Sequence, residues 1–118
     1  MRTAIIHILV VDDNQEILDI LSLMLRRKGF SVTSLIRIND FAVTIKNIRP
    51  DIILLDKNLG WTDGCEVCAL IKSDEHIRHI RVIMFSAYHK GKADCLSAGA
   101  DGFLAKPFAM AELLQIIR

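Results

Sequence analysis

The sequence has no long apolar run, no strong net charge and no even set of cysteines. Its longest apolar stretch, residues 4–11, is interrupted by His7 and is far too short to span a bilayer. A net charge of +1 favours neither a nucleic-acid surface nor a polybasic membrane patch. The three irregularly spaced cysteines, Cys65, Cys68 and Cys95, fit reduced thiols better than a disulfide scaffold, and no signal peptide is visible. We therefore expect a cytoplasmic protein that contacts neither a membrane nor nucleic acid.

What the sequence does contain is a regular alternation of short apolar runs with amphipathic stretches. Strands are expected at residues 5–11, 31–36, 51–56, 81–86 and 102–105. Helices are expected at residues 15–28, 40–48, 64–72, 90–98 and 109–118. Nearly continuous apolar strands are typical of a parallel sheet covered by helices on both faces, so the pattern predicts an α/β fold. With 118 residues, 52% of them hydrophobic, and no internal linker, residues 1–118 are expected to form one domain.

Carboxylates stand at the ends of two of these strands. Asp12 and Asp13 directly follow the first strand, and Asp56 ends the third. Ligands of doubly wound sheets bind outside the carboxyl ends of the strands. If these two strands are neighbours, their tips lie about 5 Å apart. Two unit charges at that distance repel by roughly 3 kcal/mol at an effective dielectric constant of about 20. Such a cluster requires protons or a cation, and Mg²⁺ suits hard oxygen ligands.

Two further strands end in Ser86 and Lys106. A carboxylate nucleophile, a divalent metal, a lysine and a hydroxyl are the groups needed to accept a phosphoryl group on aspartate. Lys106 would neutralise charge on the transferring group, and Ser86 would hydrogen-bond one of its oxygens. Each residue alone also has a structural interpretation: Asp12 and Asp13, for example, could be helix N-terminal charges beside a capping Asn14. Their joint occurrence at four strand ends favours the chemical interpretation.

The motifs around these residues resemble the receiver domain of two-component response regulators over essentially the whole chain. The matching segments are "VVDDN", "LLDKNLGWTDG", "MFSA" and "AGADGFLAKPF". The resemblance implies a flavodoxin-like receiver fold, a doubly wound five-stranded parallel sheet in the order 2-1-3-4-5 flanked by five helices. It also implies that Asp56 accepts a phosphoryl group from the phosphohistidine of a sensor histidine kinase or a phosphotransfer protein. We accordingly expect a phosphoacceptor switch rather than an enzyme in the turnover sense.

The resemblance assigns a metal site and a phosphate-binding lysine as well. Mg²⁺ would be held by Asp12, Asp13 and Asp56 together with the backbone carbonyl of Asn58. Lys106 matches the family's phosphate-contacting lysine.

The resemblance further implies which residues switch. Ser86 matches the switch hydroxyl, and Phe103 matches the aromatic residue that changes rotamer when that hydroxyl moves. The bond preceding Pro107 is often cis in such domains. The helix opened by His89 and Lys90 looks weak, and in this family it belongs to the output face. A marginal helix there is compatible with a population shift on phosphorylation.

Several positions depart from the common family pattern. Gly60 stands where proline is usual, so we expect a loop more mobile than average. Trp61 is an unusually large residue for this loop. Asn58 and Tyr88 occupy positions that tune autodephosphorylation in the family. Phe103 lacks the hydroxyl of the common tyrosine but can fill the same pocket.

Two other kinds of site compete with this interpretation. The pairs Cys65–Cys68 and His76–His79 have a spacing that could suit zinc, although the first pair falls inside an amphipathic helix with a core face. A related phosphatase or other aspartyl-phosphate enzyme would usually carry a second acid two residues after the nucleophile, where this chain has Asn58. Dinucleotide binding is weaker still, because no glycine-rich fingerprint follows the first strand.

The main functional alternative is a degenerate receiver that acts as a phosphorylation-independent protein-interaction module. Its usual mark is a lost acid or lysine, and this chain keeps all of them. We expect the chain to be the N-terminal part of a longer regulator or a stand-alone receiver. A C-terminal effector domain or a receiver dimer would then be its further partners.

Overall fold

In the described part of the chain, five strands alternate strictly with five helices. The computed structural model describes residues 4–87 and 91–117. The strands are β1 (His7–Val11), β2 (Ser31–Leu35), β3 (Ile52–Asp56), β4 (Arg81–Ser86) and β5 (Gly102–Ala105). The helices are α1 (Gln15–Arg27), α2 (Phe41–Ile48), α3 (Gly64–Ser73), α4 (Gly91–Ser97) and α5 (Met110–Ile117). Across the part of the chain described, no helix is both long enough and apolar enough to cross a membrane.

The five strands form one parallel sheet in the order β2-β1-β3-β4-β5. The predicted fold class and strand order are therefore confirmed. The predicted first and last residues of the strands and helices are less accurate. The first strand was expected from residue 5, whereas β1 begins at His7 and Ile5 is 71% exposed. Apolarity alone placed Ile5 in the strand, but its side chain is largely exposed to solvent.

Side chains that stand just before the helices determine where several of them begin. The Asn14 side chain accepts hydrogen bonds from two backbone N–H groups at the start of α1, and Asp40 and Asp63 cap α2 and α3 in the same way. Asp40, predicted as the first residue of α2, is thus its N-cap. Gly29 follows α1 with a φ of +96°, the left-handed conformation that commonly ends a helix.

Helices cover both faces of the sheet. The first face carries α1 and α5, which bury residues such as Leu18 and Leu113 against the strands. The second carries α2, α3 and α4, which bury Ile45, Val67 and Cys95. Because both faces are packed with apolar side chains, the central strands can expose polar groups only at their ends. This architecture brings the strand-end residues predicted from the sequence to one edge of the sheet.

Between β4 and β5, the structure contains the predicted helix, which ends one residue earlier than expected. The helix expected at residues 90–98 is α4, Gly91–Ser97. Tyr88, His89 and Lys90, to which the sequence analysis gave roles, lie outside the described residues. After β5, the bond between Lys106 and Pro107 is cis.

Candidate functional site

Three carboxylates converge at the carboxyl ends of β1 and β3. The two strands are adjacent and parallel, with Val11 opposite Leu55, so Asp12 and Asp56 are the next residues along each strand. One oxygen from each of Asp12, Asp13 and Asp56 lies within 4.8 Å of the others. Asp12 is fully buried and Asp56 is 6% exposed, whereas Asp13 is exposed. The cluster therefore opens to solvent on the Asp13 side.

The Lys106 ammonium lies between the two buried carboxylates. Its Nζ is 3.1 Å from Asp12 Oδ2 and 3.2 Å from Asp56 Oδ2. The same ammonium lies 4.7 Å from the centroid of the Phe85 ring, within the range of a cation–π contact. The backbone also fixes this residue, because its N–H donates to the Ser86 carbonyl at 2.7 Å. Lys106 is thus held at the site by β4 and by the two acids.

The Asp56 carboxyl is in an unfavourable position for a charged group. Burial raises the pKa of Asp56 from 3.8 to about 6. The negative charge of Asp12 adds to this rise. The Lys106 ammonium and the Asn58 N–H, which donates to Asp56 Oδ1 at 3.1 Å, act in the opposite direction. One lysine cannot neutralise three carboxylates, so excess negative charge remains at this edge of the sheet.

The acids form a donor set that fits a hard divalent cation. Carboxylate oxygens are preferred ligands of Mg²⁺, and a small site with one open side leaves room for water. The Asp12 carboxylate is fixed in place, since its Oδ1 accepts a hydrogen bond from the Asn14 N–H at 2.9 Å and its Oδ2 accepts one from Lys106. Asp12, Asp13 and Asp56 are the residues that could hold such an ion. The excess negative charge described above is what a bound cation would neutralise.

Ser86 and Phe103 lie on the neighbouring strands β4 and β5. Ser86 is 1% exposed at the end of β4, where it is paired with Ala105. A Cβ added to Gly91, the first residue of α4, would lie 3.2 Å from Ser86 Oγ. Phe103 is half-buried and packs against the hydrophobic cluster that includes Cys95 of α4. The two residues thus connect the acidic site to α4.

The loop after β3 makes contacts that are not predictable from the sequence. Leu59 is fully buried, and Trp61 stacks on Phe41 with ring centroids 5.9 Å apart. The glycine between them, Gly60, has a φ of +80°. The mobility expected from Gly60 is therefore opposed by anchored residues on both sides of it. No sequence periodicity indicates that a loop residue packs on a helix distant in sequence, so the sequence alone did not predict these contacts.

The alternative zinc site is not formed. In the described ranges, the acidic cluster is the one group of three or more potential ligands close enough to hold a metal. Cys68 is buried, and Cys65 lies 4.0 Å from Cys95, sulfur to sulfur. His76 and His79 instead line a cavity of about 640 Å³ near the amino ends of the strands. The cysteine pair and the histidine pair do not share a site.

The sequence and the fold are both similar to those of known receiver domains. A family model for the response regulator receiver domain matches residues 8–118. The transcriptional regulatory protein GltR of Pseudomonas aeruginosa is 38% identical over 114 residues, which is 94% of this chain and 47% of GltR. The chain thus spans about half the length of this curated relative.

Solved structures show the same fold. The receiver domain of the sensor histidine kinase PA1611 from Pseudomonas aeruginosa, determined with magnesium in its active-site cleft, is 33% identical and has a TM-score of 0.80. The alignment covers 97% of this chain and 95% of that one. A CheY-like response regulator receiver domain protein from Methanospirillum hungatei is 27% identical with a TM-score of 0.86, covering 97% and 91% of the two chains.

Proposed function

The chain belongs to the response regulator receiver domains, and we propose that it works as a phosphoacceptor switch in which Asp56 receives the phosphoryl group. The phosphohistidine of a sensor histidine kinase or of a phosphotransfer protein is the proposed donor. The observation that carries the proposal is the position of Lys106. Its ammonium contacts both buried carboxylates, Asp12 and Asp56, at the end of the sheet where the acids converge.

Asp56 has the geometry of an oriented nucleophile. Its Oδ1 is held by the Asn58 N–H at 3.1 Å, and its Oδ2 by the Lys106 ammonium at 3.2 Å. In the proposed reaction, a carboxylate oxygen forms a bond to phosphorus while the bond from phosphorus to the donor nitrogen breaks. The imidazole leaves with the electron pair of that bond, and Lys106 neutralises charge on the phosphoryl oxygens. No substrate-enclosing segment is needed for this transfer.

Mg²⁺ is part of the same proposal. Asp12, Asp13 and Asp56, with the backbone carbonyl of Asn58, are the proposed ligands. When bound, the ion would supply positive charge beside the transferring group. Support comes from the compact donor set of this chain and from its 33% identical relative, which was determined with magnesium in the active-site cleft.

The proposed output runs through Ser86, Phe103 and α4. A phosphoryl group on Asp56 would offer oxygens that the Ser86 hydroxyl can donate to. Gly91 packs close to Ser86. A shift of the Ser86 hydroxyl would therefore change the packing at the start of α4. Phe103, packed on the same side of the sheet as α4, is the proposed second switch residue.

The remaining parts of the proposal concern partners and location. An effector domain in a longer protein, or a receiver dimer, is the proposed recipient of the signal, as the relative GltR is a transcriptional regulatory protein of about twice this length. The switch turns over no substrate of its own, so it is not proposed to be an enzyme. Three free thiols fit a cytoplasmic location.

Intact mass spectrometry tests the proposal. The chain is incubated with Mg²⁺ and acetyl phosphate, with Asp56→Asn as the test variant and Asp19→Asn as the matched control. Asp19 is an exposed acid on α1, so its replacement makes the same chemical change away from the site. We expect one phosphoryl adduct in the wild type and in Asp19→Asn. The adduct should disappear in Asp56→Asn and in EDTA.

An adduct that persists in Asp56→Asn would contradict the assignment. If acetyl phosphate and a phosphorylated kinase both fail to modify the wild type, the phosphorylation-independent module becomes the better description.

A further inference from the structure

Trp61, the single tryptophan of the chain, joins the loop after β3 to the loop after β2. Its indole Nε1 donates to the Ile36 carbonyl at 3.2 Å. Its ring stacks on Phe41 with an interplanar angle of 14°, and the Arg37 guanidinium lies 5.1 Å from the ring centroid. All three partners belong to the β2–α2 segment. We call this set of contacts the Trp61 bridge.

The strand order determines what the bridge crosses. In the sheet, β1 lies between β2 and β3. A side chain that reaches from the loop after β3 to the segment after β2 must therefore pass the carboxyl end of β1. That end carries Asp12 and Asp13, the residues that complete the acidic cluster with Asp56. The bridge thus spans the end of β1 that carries the acidic residues.

The residue before Trp61, Gly60, lies close to Asp13. A Cβ added to Gly60 would lie 2.8 Å from Asp13 Oδ2. Gly60 also has a φ of +80°, a conformation that side chains rarely adopt. The backbone of the loop therefore packs directly against the carboxylate of Asp13. Its position depends on what fixes the loop on either side of Gly60.

Asn58 and Asp63 form a β-bridge at the base of that loop, and the residues on either side of Gly60 anchor its tip. Leu59 is fully buried in the core, and its N–H donates to the Thr62 carbonyl at 3.3 Å. Trp61 supplies the second anchor through the bridge. Without the Trp61 bridge, the conformational freedom of Gly60 would allow the loop to rotate away from Asp13. The same loop carries the Asn58 carbonyl.

We propose that Trp61 is a positioning residue for the acidic site: its bridge to the β2–α2 segment holds the loop against Asp13 and fixes the spacing between this acid and the Asn58 carbonyl. The proposal rests on the proposed function, since it concerns the same Mg²⁺ ligands. Its physical basis is that Mg²⁺ requires near-ideal octahedral geometry, whereas Ca²⁺ accepts flexible and irregular coordination. Loosening the loop should therefore weaken Mg²⁺ binding more than Ca²⁺ binding.

Calorimetric titration of the metal-free chain with Mg²⁺ and with Ca²⁺ tests this inference. Trp61→Ala removes the whole bridge, and Trp61→Phe keeps an aromatic ring but loses the hydrogen bond to Ile36. Leu113→Ala is the control for general destabilisation, because Leu113 is a buried residue of α5 on the opposite face of the sheet. Titrations are run well below the unfolding temperature of each variant.

We expect Trp61→Ala to weaken Mg²⁺ binding by about tenfold or more, the usual effect of losing a group that supports metal ligands. Ca²⁺ binding should weaken by less, so the ratio of the two affinities falls. Trp61→Phe should lie between Trp61→Ala and the wild type. Leu113→Ala should unfold at a lower temperature yet keep the wild-type affinity ratio. Hydrogen exchange of residues 57–63 in EDTA should rise in Trp61→Ala.

Unchanged Mg²⁺ affinity in a folded Trp61→Ala would overturn the inference, as would an equal loss for both ions. Asp56→Asn separates this failure from that of the proposed function. If the wild type shows no Mg²⁺ binding, or if Asp56→Asn binds Mg²⁺ as tightly as the wild type, the metal site itself is wrong and the positioning role fails with it. If Asp56→Asn abolishes binding and Trp61→Ala does not affect it, the positioning role alone is wrong.

Discussion

Replacing Asp56 with asparagine in metal-free buffer should make the fold more stable near neutral pH. The carboxyl is 6% exposed, and burial raises its pKa from 3.8 to about 6. A raised pKa in the folded state means that folding favours the protonated acid. The associated stability is fully present below pH 3.8 and is lost as the pH rises through about 6. Asparagine carries no charge and avoids this loss.

The magnitude follows from the same two values. The difference, 6 − 3.8, is about 2.2 pH units, and each unit corresponds to about 1.36 kcal/mol, so the loss at pH 7.5 is about 3 kcal/mol. For a domain of this size, each kcal/mol shifts the Tm by roughly 3–5 °C, which gives an increase of about 10 °C. At pH 4, where the acid is already mostly protonated in the folded protein, most of this gain should vanish.

Thermal and urea unfolding in EDTA at pH 7.5 and pH 4 measure the effect, with Asp19→Asn as the control for removing an exposed acid. Saturating Mg²⁺ at pH 7.5 should narrow the difference, because a ligand that binds the folded wild type stabilises it. Equal stability of wild type and Asp56→Asn at pH 7.5 would refute the electrostatic reasoning. So would a gain of the same size at both pH values, since that gain could not come from ionisation of Asp56.

Three further outcomes follow from contacts in the structure. Lys106→Met should reduce the rate of phosphoryl adduct formation by about a hundredfold, because the lost ammonium would otherwise neutralise charge on the transferring group. Time courses with acetyl phosphate measure this rate, and an unchanged rate would argue against the proposed role of Lys106. Gly64→Ala should cost about 1–3 kcal/mol or more in urea unfolding, since its Cβ would collide with the backbone carbonyl oxygen of Asp56. Oxidation with diamide should join Cys65 to Cys95, whose sulfur atoms lie 4.0 Å apart. Burial raises the pKa of Cys65 to about 12, so this reaction should accelerate as the pH rises, and peptide mapping that finds a different pair would contradict it.

The fold could be predicted in large part because strands that are buried on both faces of the sheet are nearly continuous apolar runs in the sequence. The nearly continuous apolar run before Asp56 belongs to β3, whose five residues are all buried. The strand order, by contrast, came from the family resemblance, since periodicity does not say which strands are neighbours. Errors concentrated at element ends, where one polar residue such as Asp40 can be a cap or a first helical residue.

The site could be predicted from the sequence as far as its residues lie at the ends of strands. Parallel strands bring their carboxyl ends to one edge, so Asp12, Asp56 and Lys106 could be expected to meet. Their distances, and the raised pKa of Asp56, depend on side-chain packing that no motif encodes. The Trp61 bridge illustrates the same limit, because it joins two loops that are separated by a whole strand and helix.

We propose that Asp56 carries the phosphoryl group, and borohydride trapping can identify the residue that does. An aspartyl phosphate is an acyl phosphate, which borohydride reduces to homoserine, so the modified residue can be located by tandem mass spectrometry. The chain is first loaded with phosphoramidate, a donor with the same phosphorus–nitrogen bond as phosphohistidine, in the presence of Mg²⁺. We expect homoserine at position 56 and at no other acid. Homoserine at Asp12 or Asp13 instead, or its absence from a chain that carries the phosphoryl adduct, would show that Asp56 is not the phosphoacceptor.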